Sequence, residues 1–103
     1  MATTDITVNG DEIHAEIKDG NRTMLSNTSI ILDPLTCSYS TIGILCKYNL
    51  TIENIIGLTE SVILLNGKNS RFSTNGSGSC DIKLMVEDDN NNNDTTTITI
   101  TVL

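Results

Sequence analysis

The acidic run near the C terminus, Glu87 to Asp94, carries the side chains best suited to bind a metal ion. Carboxylate and amide oxygens are the ligands of calcium, a hard cation that takes about six to eight oxygens. Four carboxylates of this run are candidate calcium ligands: Glu87, Asp88, Asp89 and Asp94. A calcium cage usually needs a further carboxylate from a second loop, for which the candidates are Asp5, Asp11, Glu12 and Asp33. Alternatively, the run is a solvated turn whose charges prevent edge pairing and whose Asn residues tolerate turn geometry.

Five Asn-X-Ser/Thr sequons are a second set of candidate sites, because this tripeptide is the acceptor for N-linked glycans in secreted proteins. They begin at Asn21, Asn27, Asn49, Asn75 and Asn93. Four of the five fall in predicted turns or at loop edges. Asn49 falls on the outward phase of a predicted strand, so none of the five would bury a glycan. The alternative is an Asn-rich composition without modification.

Catalytic residues are hard to assemble from this sequence. His14, the sole histidine, alternates with Ile13, Ala15 and Ile17 and therefore points outward on the predicted strand. It has no evident Ser or Cys partner. Adjacent carboxylates such as Asp88 and Asp89 point to opposite faces of a strand and cannot flank one bond. We therefore expect a protein that is not an enzyme and has no cofactor other than the calcium considered above.

Two runs of alternating apolar residues in the last quarter of the chain predict a β-hairpin. The first run is Cys80, Ile82, Leu84 and Val86, and the second is Ile98, Ile100 and Val102. Side chains on a strand point alternately to opposite faces, so this spacing places all the apolar groups on one face. A second sheet must cover that face, which favours a β-sandwich.

Turn signals at short intervals divide the rest of the chain into further strands. Asn66-Gly67 predicts a hairpin turn between two strands, Ser61 to Leu65 and Asn69 to Ser73. Four other segments are rich in β-branched residues and alternate: Ile6 to Val8, Glu12 to Lys18, Thr28 to Leu32 and Gly43 to Ile52. The last of these should place Ile44, Cys46, Tyr48, Leu50 and Ile52 inward. Residues 52–65 also fit a helical stripe, but Gly57 and the β-branched content favour a loop followed by a strand.

The composition limits the class of protein and of partner. A chain of 103 residues is long enough for one core, so we expect a single domain over residues 1–103. The net charge of -7 argues against nucleic acid and anionic membranes as partners, since both require clustered Lys and Arg. No apolar run is long enough to span a bilayer. Because the chain stops within a predicted strand, we expect a module cut from a longer protein, or a small complete subunit.

Three segments resemble the polycystic-kidney-disease (PKD) Ig-like modules of extracellular arrays. They are residues 17–22 (Ile-Lys-Asp-Gly-Asn-Arg), residues 29–34 (Ser-Ile-Ile-Leu-Asp-Pro) and residues 81–90, which begin Asp-Ile-Lys-Leu-Met-Val. The Trp-rich third strand and the Gly-Asp-Gly signature of that family are missing here. The resemblance implies an all-β fold, namely an Ig-like antiparallel β-sandwich of about seven strands.

The cysteines are interpreted within this Ig-like topology. Cys46 near the start of the third strand and Cys80 near the start of the sixth would lie at opposite ends of the sandwich. A Cys37–Cys46 disulfide would close a small loop and stabilise the fold by about 2–3 kcal/mol. Cys80 is then a buried core thiol or forms an intermolecular bridge. These positions give no tetrahedral zinc site.

Together these features predict a noncatalytic structural or adhesive module, extracellular or at the cell surface. Its partners would be other proteins, either neighbouring modules or copies of itself, and it could carry N-linked glycans. Neither nucleic acid binding nor membrane insertion is expected. The first alternative is a filament subunit in which residues 3–8 or residues 95–103 insert into the next copy by strand addition. The second is a calcium-dependent adhesion repeat.

Overall fold

The computed structural model describes residues 13–103, which form seven β-strands. The strands are β1 (Ile13–His14), β2 (Arg22–Met24), β3 (Thr28–Leu32), β4 (Tyr39–Ser40), β5 (Leu45–Leu64), β6 (Ser70–Asp88) and β7 (Asn93–Val102). A single turn of 3₁₀ helix, Gly67–Asn69, joins β5 to β6. The predicted strand Ile6 to Val8 lies outside the described residues.

The predicted C-terminal hairpin is confirmed. β6 and β7 pair antiparallel, with Ile82 opposite Ile98 and Cys80 opposite Ile100. All seven alternating apolar residues of the two runs are buried. Their partners on the other phase, such as Thr97 and Thr99, are exposed. The alternation therefore predicted both the strands and the face that enters the core.

The long strand β6 organises the main sheet. β5 pairs antiparallel with β6 along most of its length, from Leu64 opposite Arg71 to Leu45 opposite Asp88. On its other side β6 pairs first with β3, over residues 70–74, and then with β7, over residues 78–87. β2 adds to β7 in parallel, and β1 and β4 form a separate two-stranded sheet.

Three glycines fold this sheet over on itself. Gly57, Gly76 and Gly78 all have positive φ angles and lie where the β5–β6 register is interrupted by bulges. A Cβ atom at Gly76 would lie 2.7 Å from the carbonyl oxygen of Gly57, so the two strands approach each other more closely than side chains permit. We call these three residues the glycine bend.

A hydrogen bond across the molecule shows how far the hairpin turns. The backbone N–H of Gly67, at the tip of the β5–β6 hairpin, donates to the hydroxyl of Tyr48 over 2.6 Å. Residues 48 and 67 would be about 60 Å apart on a fully extended chain. The hairpin therefore doubles back at the glycine bend, and its two halves face each other.

The result is a sandwich of two layers. Layer I contains β2, β7, residues 79–88 of β6 and residues 45–53 of β5, whereas layer II contains β3, residues 70–75 of β6 and residues 58–64 of β5. This neighbour order is that of an Ig-like sandwich, with strands C and D continuous in β5 and strands E and F continuous in β6. The all-β prediction is confirmed.

The core lies between the layers. Phe72 and Leu32 of layer II are fully buried, as are Ile82, Leu84 and Ile100 of layer I, and all belong to one cluster of buried residues. Ile17 enters the same cluster from the segment between β1 and β2.

Several predictions about β5 were wrong. The strand begins at Leu45 instead of Gly43, and Ile44 is 73% exposed although it was predicted to face inward. Cys46 is also exposed, whereas Leu50 is buried as expected. Residues 52–64 form neither a helix nor a loop, because β5 continues through its bulges as one strand. Pairing with β6 overrides the helix-like spacing of the apolar residues.

Two further boundaries differ from the prediction. Of the predicted strand Glu12 to Lys18 the structure describes residues 13–18, and among these only Ile13–His14 forms a paired strand, although Ala15 and Ile17 are buried in the expected phase. Asn75-Gly76 has the sequence of a turn, but both residues lie inside β6 at the glycine bend. Asn66-Gly67 is confirmed as the point where β5 turns into β6.

Candidate functional site: the acidic turn between β6 and β7

Asp88, the last residue of β6, anchors the turn between β6 and β7 although it is 1% exposed. Its Oδ1 accepts backbone hydrogen bonds from Asn90 (2.9 Å) and Asn92 (3.0 Å). Its Oδ2 accepts from the Ser40 hydroxyl (2.9 Å) and from Nδ2 of Asn92 (3.3 Å). Burial alone would raise the pKa of Asp88, but the hydrogen bonds from Asn92, Ser40 and Asn90 outweigh it and lower the pKa below its ordinary value.

The other three candidate calcium ligands also have protein partners. Oδ1 of Asp89 accepts from the backbone N–H of Ile44 (2.9 Å), and Oδ2 of Asp94 accepts from that of Ala15 (2.9 Å). Glu87 lies 3.7 Å from the ammonium of Lys47. The carboxylates therefore bind the turn to three neighbouring segments instead of converging on one point.

The calcium prediction finds no converging ligand set in the part of the chain that the structure describes. Residues 13–103 contain no group of three or more His, Cys, Asp or Glu side chains placed to hold a metal ion. Asp33, one of the additional candidates, instead accepts backbone hydrogen bonds from Leu35 and Thr36. Asp5, Asp11 and Glu12 lie outside the described residues. Calcium-dependent adhesion remains a prediction.

The anchoring role of Asp88 was missed by the sequence analysis, but the sequence contains a signal for it. Asp88 is the next residue in the every-second-residue series Ile82, Leu84 and Val86, so its side chain also points towards the core. A carboxylate on the core-facing phase must find hydrogen-bond partners, and the Asn residues that follow provide them.

These hydrogen bonds predict a specific acid sensitivity. The pKa values of Asp88 and Asp33 are both lowered in the fold, so their stabilising contribution is present above the unfolded value of about 3.9 and is lost as the pH falls through the folded values. We expect the urea midpoint of unfolding to stay constant from about pH 7 to pH 5 and to fall below about pH 4.

Asp88→Asn tests this assignment. The variant should have a lower urea midpoint at pH 7 and a smaller further loss in acid, because the ionised acceptor is already gone. Asp19→Asn, at an exposed turn residue, is the matched control and should follow the wild type. An acid profile of Asp88→Asn parallel to that of the wild type would contradict the role of this carboxylate.

The sequon asparagines are mostly at the surface. Asn21, Asn27, Asn49 and Asn93 are exposed, and Asn49 points outward from β5 as predicted. Asn75 differs, because it is half-buried inside β6 and its Nδ2 lies 3.4 Å from Oε1 of Glu60. The backbone N–H of Thr99 donates to Oδ1 of Asn21. This hydrogen bond does not involve Nδ2 of Asn21, the atom to which a glycan would be attached. Glycosylation itself remains a prediction.

The predicted Cys37–Cys46 disulfide is not formed in the structure, where all three cysteines are free thiols. Cys37 is half-buried, and Cys46 is exposed, with its sulfur 3.7 Å from the carbonyl oxygen of Glu87. Cys80 is buried in the core as expected. Burial, together with the nearby Asp81, raises the pKa of the Cys80 thiol to about 11.

Thiol labelling should therefore separate the three cysteines. At pH 8, Cys80 has only about one thiolate in a thousand molecules and is shielded by the core, so iodoacetamide should modify it only after unfolding. Cys46 should react fastest in the folded chain. Peptide mass mapping after a short pulse of reagent measures this order, and rapid native labelling of Cys80 would contradict it.

His14 has contacts of a structural kind. Its Nε2 lies 2.9 Å from Oε1 of Glu16, and its ring centroid lies 5.2 Å from that of Tyr39. Glu16 follows β1 and Tyr39 belongs to β4, so both contacts help to hold β1 in place.

Comparison with known proteins does not assign this chain to a family. No family model matches it, and no curated protein matches it either. Within residues 13–103, none of the helical structure is long and apolar enough to cross a membrane.

Proposed function

We propose that this chain is a noncatalytic, load-bearing module of an extracellular or cell-surface protein, of the PKD-like kind that its sequence resembles. In this role it separates or connects neighbouring modules. The proposal is supported chiefly by the positions of the two ends of the described chain, which lie at opposite ends of the sandwich.

The start of the described chain lies at the end of the sandwich that holds the acidic turn. The backbone N–H of Ala15 donates to Asp94, next to the first residue of β7. Leu103 lies at the other end of β7, where its N–H donates to the carbonyl of Met24. The ten residues of β7 span about 33 Å between these ends. A module with this geometry extends an array by its own length.

The pairing of β2 with β7 suits such a module for bearing load. The two strands are parallel, with Arg22 opposite Ile100 and Met24 opposite Val102. Tension between the two ends pulls β2 and β7 in opposite directions along their common axis. The hydrogen bonds between them are then sheared together instead of being opened one after another.

Force spectroscopy on a tandem array of the chain tests this proposal. Arg22→Pro removes a backbone donor from β2 on the side that faces β7, because Met24, two residues further on, bonds to β7 through its carbonyl. We expect it to lower the unfolding force. Ile98→Val is the control, because it removes one core methylene from β7 at a cost of about 0.5–1.5 kcal/mol and leaves the β2–β7 pair unchanged.

The expected result is that Arg22→Pro lowers the unfolding force more than Ile98→Val does, relative to the loss of melting temperature that each variant shows. If both variants unfold at the same force as the wild type, the β2–β7 pair does not bear the load and the proposed role is wrong.

A further inference from the structure

The outer edge of β5 contains a segment with the features of a strand-pairing site. Among the described residues β5 pairs only with β6, so its other side carries backbone donors and acceptors without a strand partner. Residues 61–65 (Ser-Val-Ile-Leu-Leu), which we call the edge segment, are uncharged and rich in residues of high β-propensity. Uncharged, regular edge strands are the ones that pair with further strands.

Residues 53–60 of the β5 edge are irregular, which disfavours such pairing. Bulges interrupt the register between Glu53 and Glu60, and Asn54 and Gly57 have positive φ angles. From Glu60 to Leu64 the register with β6 is regular. The opposite edge of layer II, β3, is partly covered by Arg22, whose guanidinium donates to the carbonyl of Ile31.

The side chains of the edge segment are unusually apolar for a surface. Val62 is 50% exposed and Leu64 is 60% exposed on the outer face of layer II. Ile31 of β3, which is 43% exposed, lies on the same face, with Arg71 of β6 between it and Leu64. Ile63, on the inner phase, packs against the core and fixes the orientation of its neighbours. A strand added at this edge would cover Val62 and Leu64 from the side.

We propose that a second copy of this chain occupies the edge, with the two edge segments paired antiparallel about a two-fold axis at Ile63. Val62 of each copy then lies opposite Leu64 of the other, so apolar groups meet on the outer face. This pairing is isologous and closes after two copies, unlike the filament predicted from terminal strand exchange. It goes beyond the spacer role and does not depend on it.

Charge supports the antiparallel, self-complementary pairing. Glu60 precedes the edge segment and Lys68 follows it. In this register Glu60 of one copy lies opposite Asn66 of the other, two residues before Lys68, so the opposite charges come near each other twice by symmetry. Parallel pairing would bring like charges together. None of the five sequon asparagines lies within the edge segment.

Sedimentation equilibrium of the full chain over about 10 µM to 1 mM tests the proposal. We expect a concentration-dependent rise from the monomer mass of 11.1 kDa to twice that value. Val62→Lys should raise the dissociation constant by about tenfold or more, because a Lys side chain on an edge strand blocks pairing. Thr97→Lys, at an exposed position on β7 in layer I, is the matched control and should leave it unchanged.

Charge reversal then tests the register. Glu60→Lys and Lys68→Glu should each weaken the dimer, and the double variant should restore it. A purely monomeric wild type would overturn the proposal. A dimer that persists in the Val62→Lys variant would also overturn it. If Ile6→Lys abolishes that dimer and Val62→Lys does not, the contact belongs to the N-terminal segment. Far-ultraviolet circular dichroism verifies that each variant is folded.

Discussion

Gly57→Ala should destabilise the fold by about 3 kcal/mol or more, one of the two strongest effects that we expect from single substitutions. Gly57 has a φ angle of +77°, which costs a non-glycine residue about 1–2 kcal/mol. In addition, its new Cβ atom would overlap the backbone carbonyl oxygen of Ser77 on the paired strand. Backbone atoms cannot rotate away as a side chain would, so the β5–β6 ribbon must open at the glycine bend.

Gly20→Ala is the matched control for this prediction. Gly20 has a similar φ angle of +60°, but a Cβ atom there would meet nothing within 4 Å. Gly20→Ala should therefore cost only the backbone strain of about 1–2 kcal/mol. Urea unfolding monitored by circular dichroism compares the two variants. Equal destabilisation would show that the close approach of β5 and β6 at Gly57 does not matter for the bend.

Phe72→Ala is expected to cost about 3–5 kcal/mol. Phe72 is the largest fully buried side chain among the described residues and lies on β6 between Ile30 of β3 and Ile63 of β5. Its removal leaves a cavity in layer II at the surface that faces layer I. Since a domain of this size has a free energy of unfolding of about 5–15 kcal/mol, this loss is a substantial fraction of it.

Two controls accompany Phe72→Ala in the same unfolding experiment. Phe72→Leu keeps most of the buried volume and should cost clearly less. Ile56→Ala, at a side chain that is 66% exposed, should change stability by no more than about 0.5 kcal/mol. A small effect of Phe72→Ala would mean that the two layers are held together by other contacts than the apolar core between them.

These two predictions concern the same structural feature, the folding of one long hairpin into both layers. The glycine bend allows the hairpin to double back, and Phe72 provides apolar contact once it has done so. The edge segment follows from this arrangement, because the bend carries residues 61–65 to the free side of layer II. β7 does not enter this bend. It runs the full length of layer I, and the two ends of the described chain lie at its opposite ends.

The sequence alone determined the class of fold and its most regular hairpin. Alternation at every second residue is a local property of extended chain, so Cys80 to Val86 and Ile98 to Val102 identified their own buried face. It also correctly predicted the turn at Asn66-Gly67, the strand Thr28 to Leu32 and the burial of Cys80.

The tertiary structure decided which strands continue, where they bend and what the carboxylates do. Residues 52–64 have no decisive local pattern, and only their pairing with β6 makes them extended. The close approach of Gly57 and Gly76 joins residues 19 positions apart, which spacing within one segment cannot reveal. Likewise, the sequence predicted that Asp88 is a metal ligand, since it could not show the hydrogen bond from Ser40, which lies 48 residues away. Hydrogen bonds and steric contacts of this kind depend on distances in space, and one sequence does not contain them until the chain has folded.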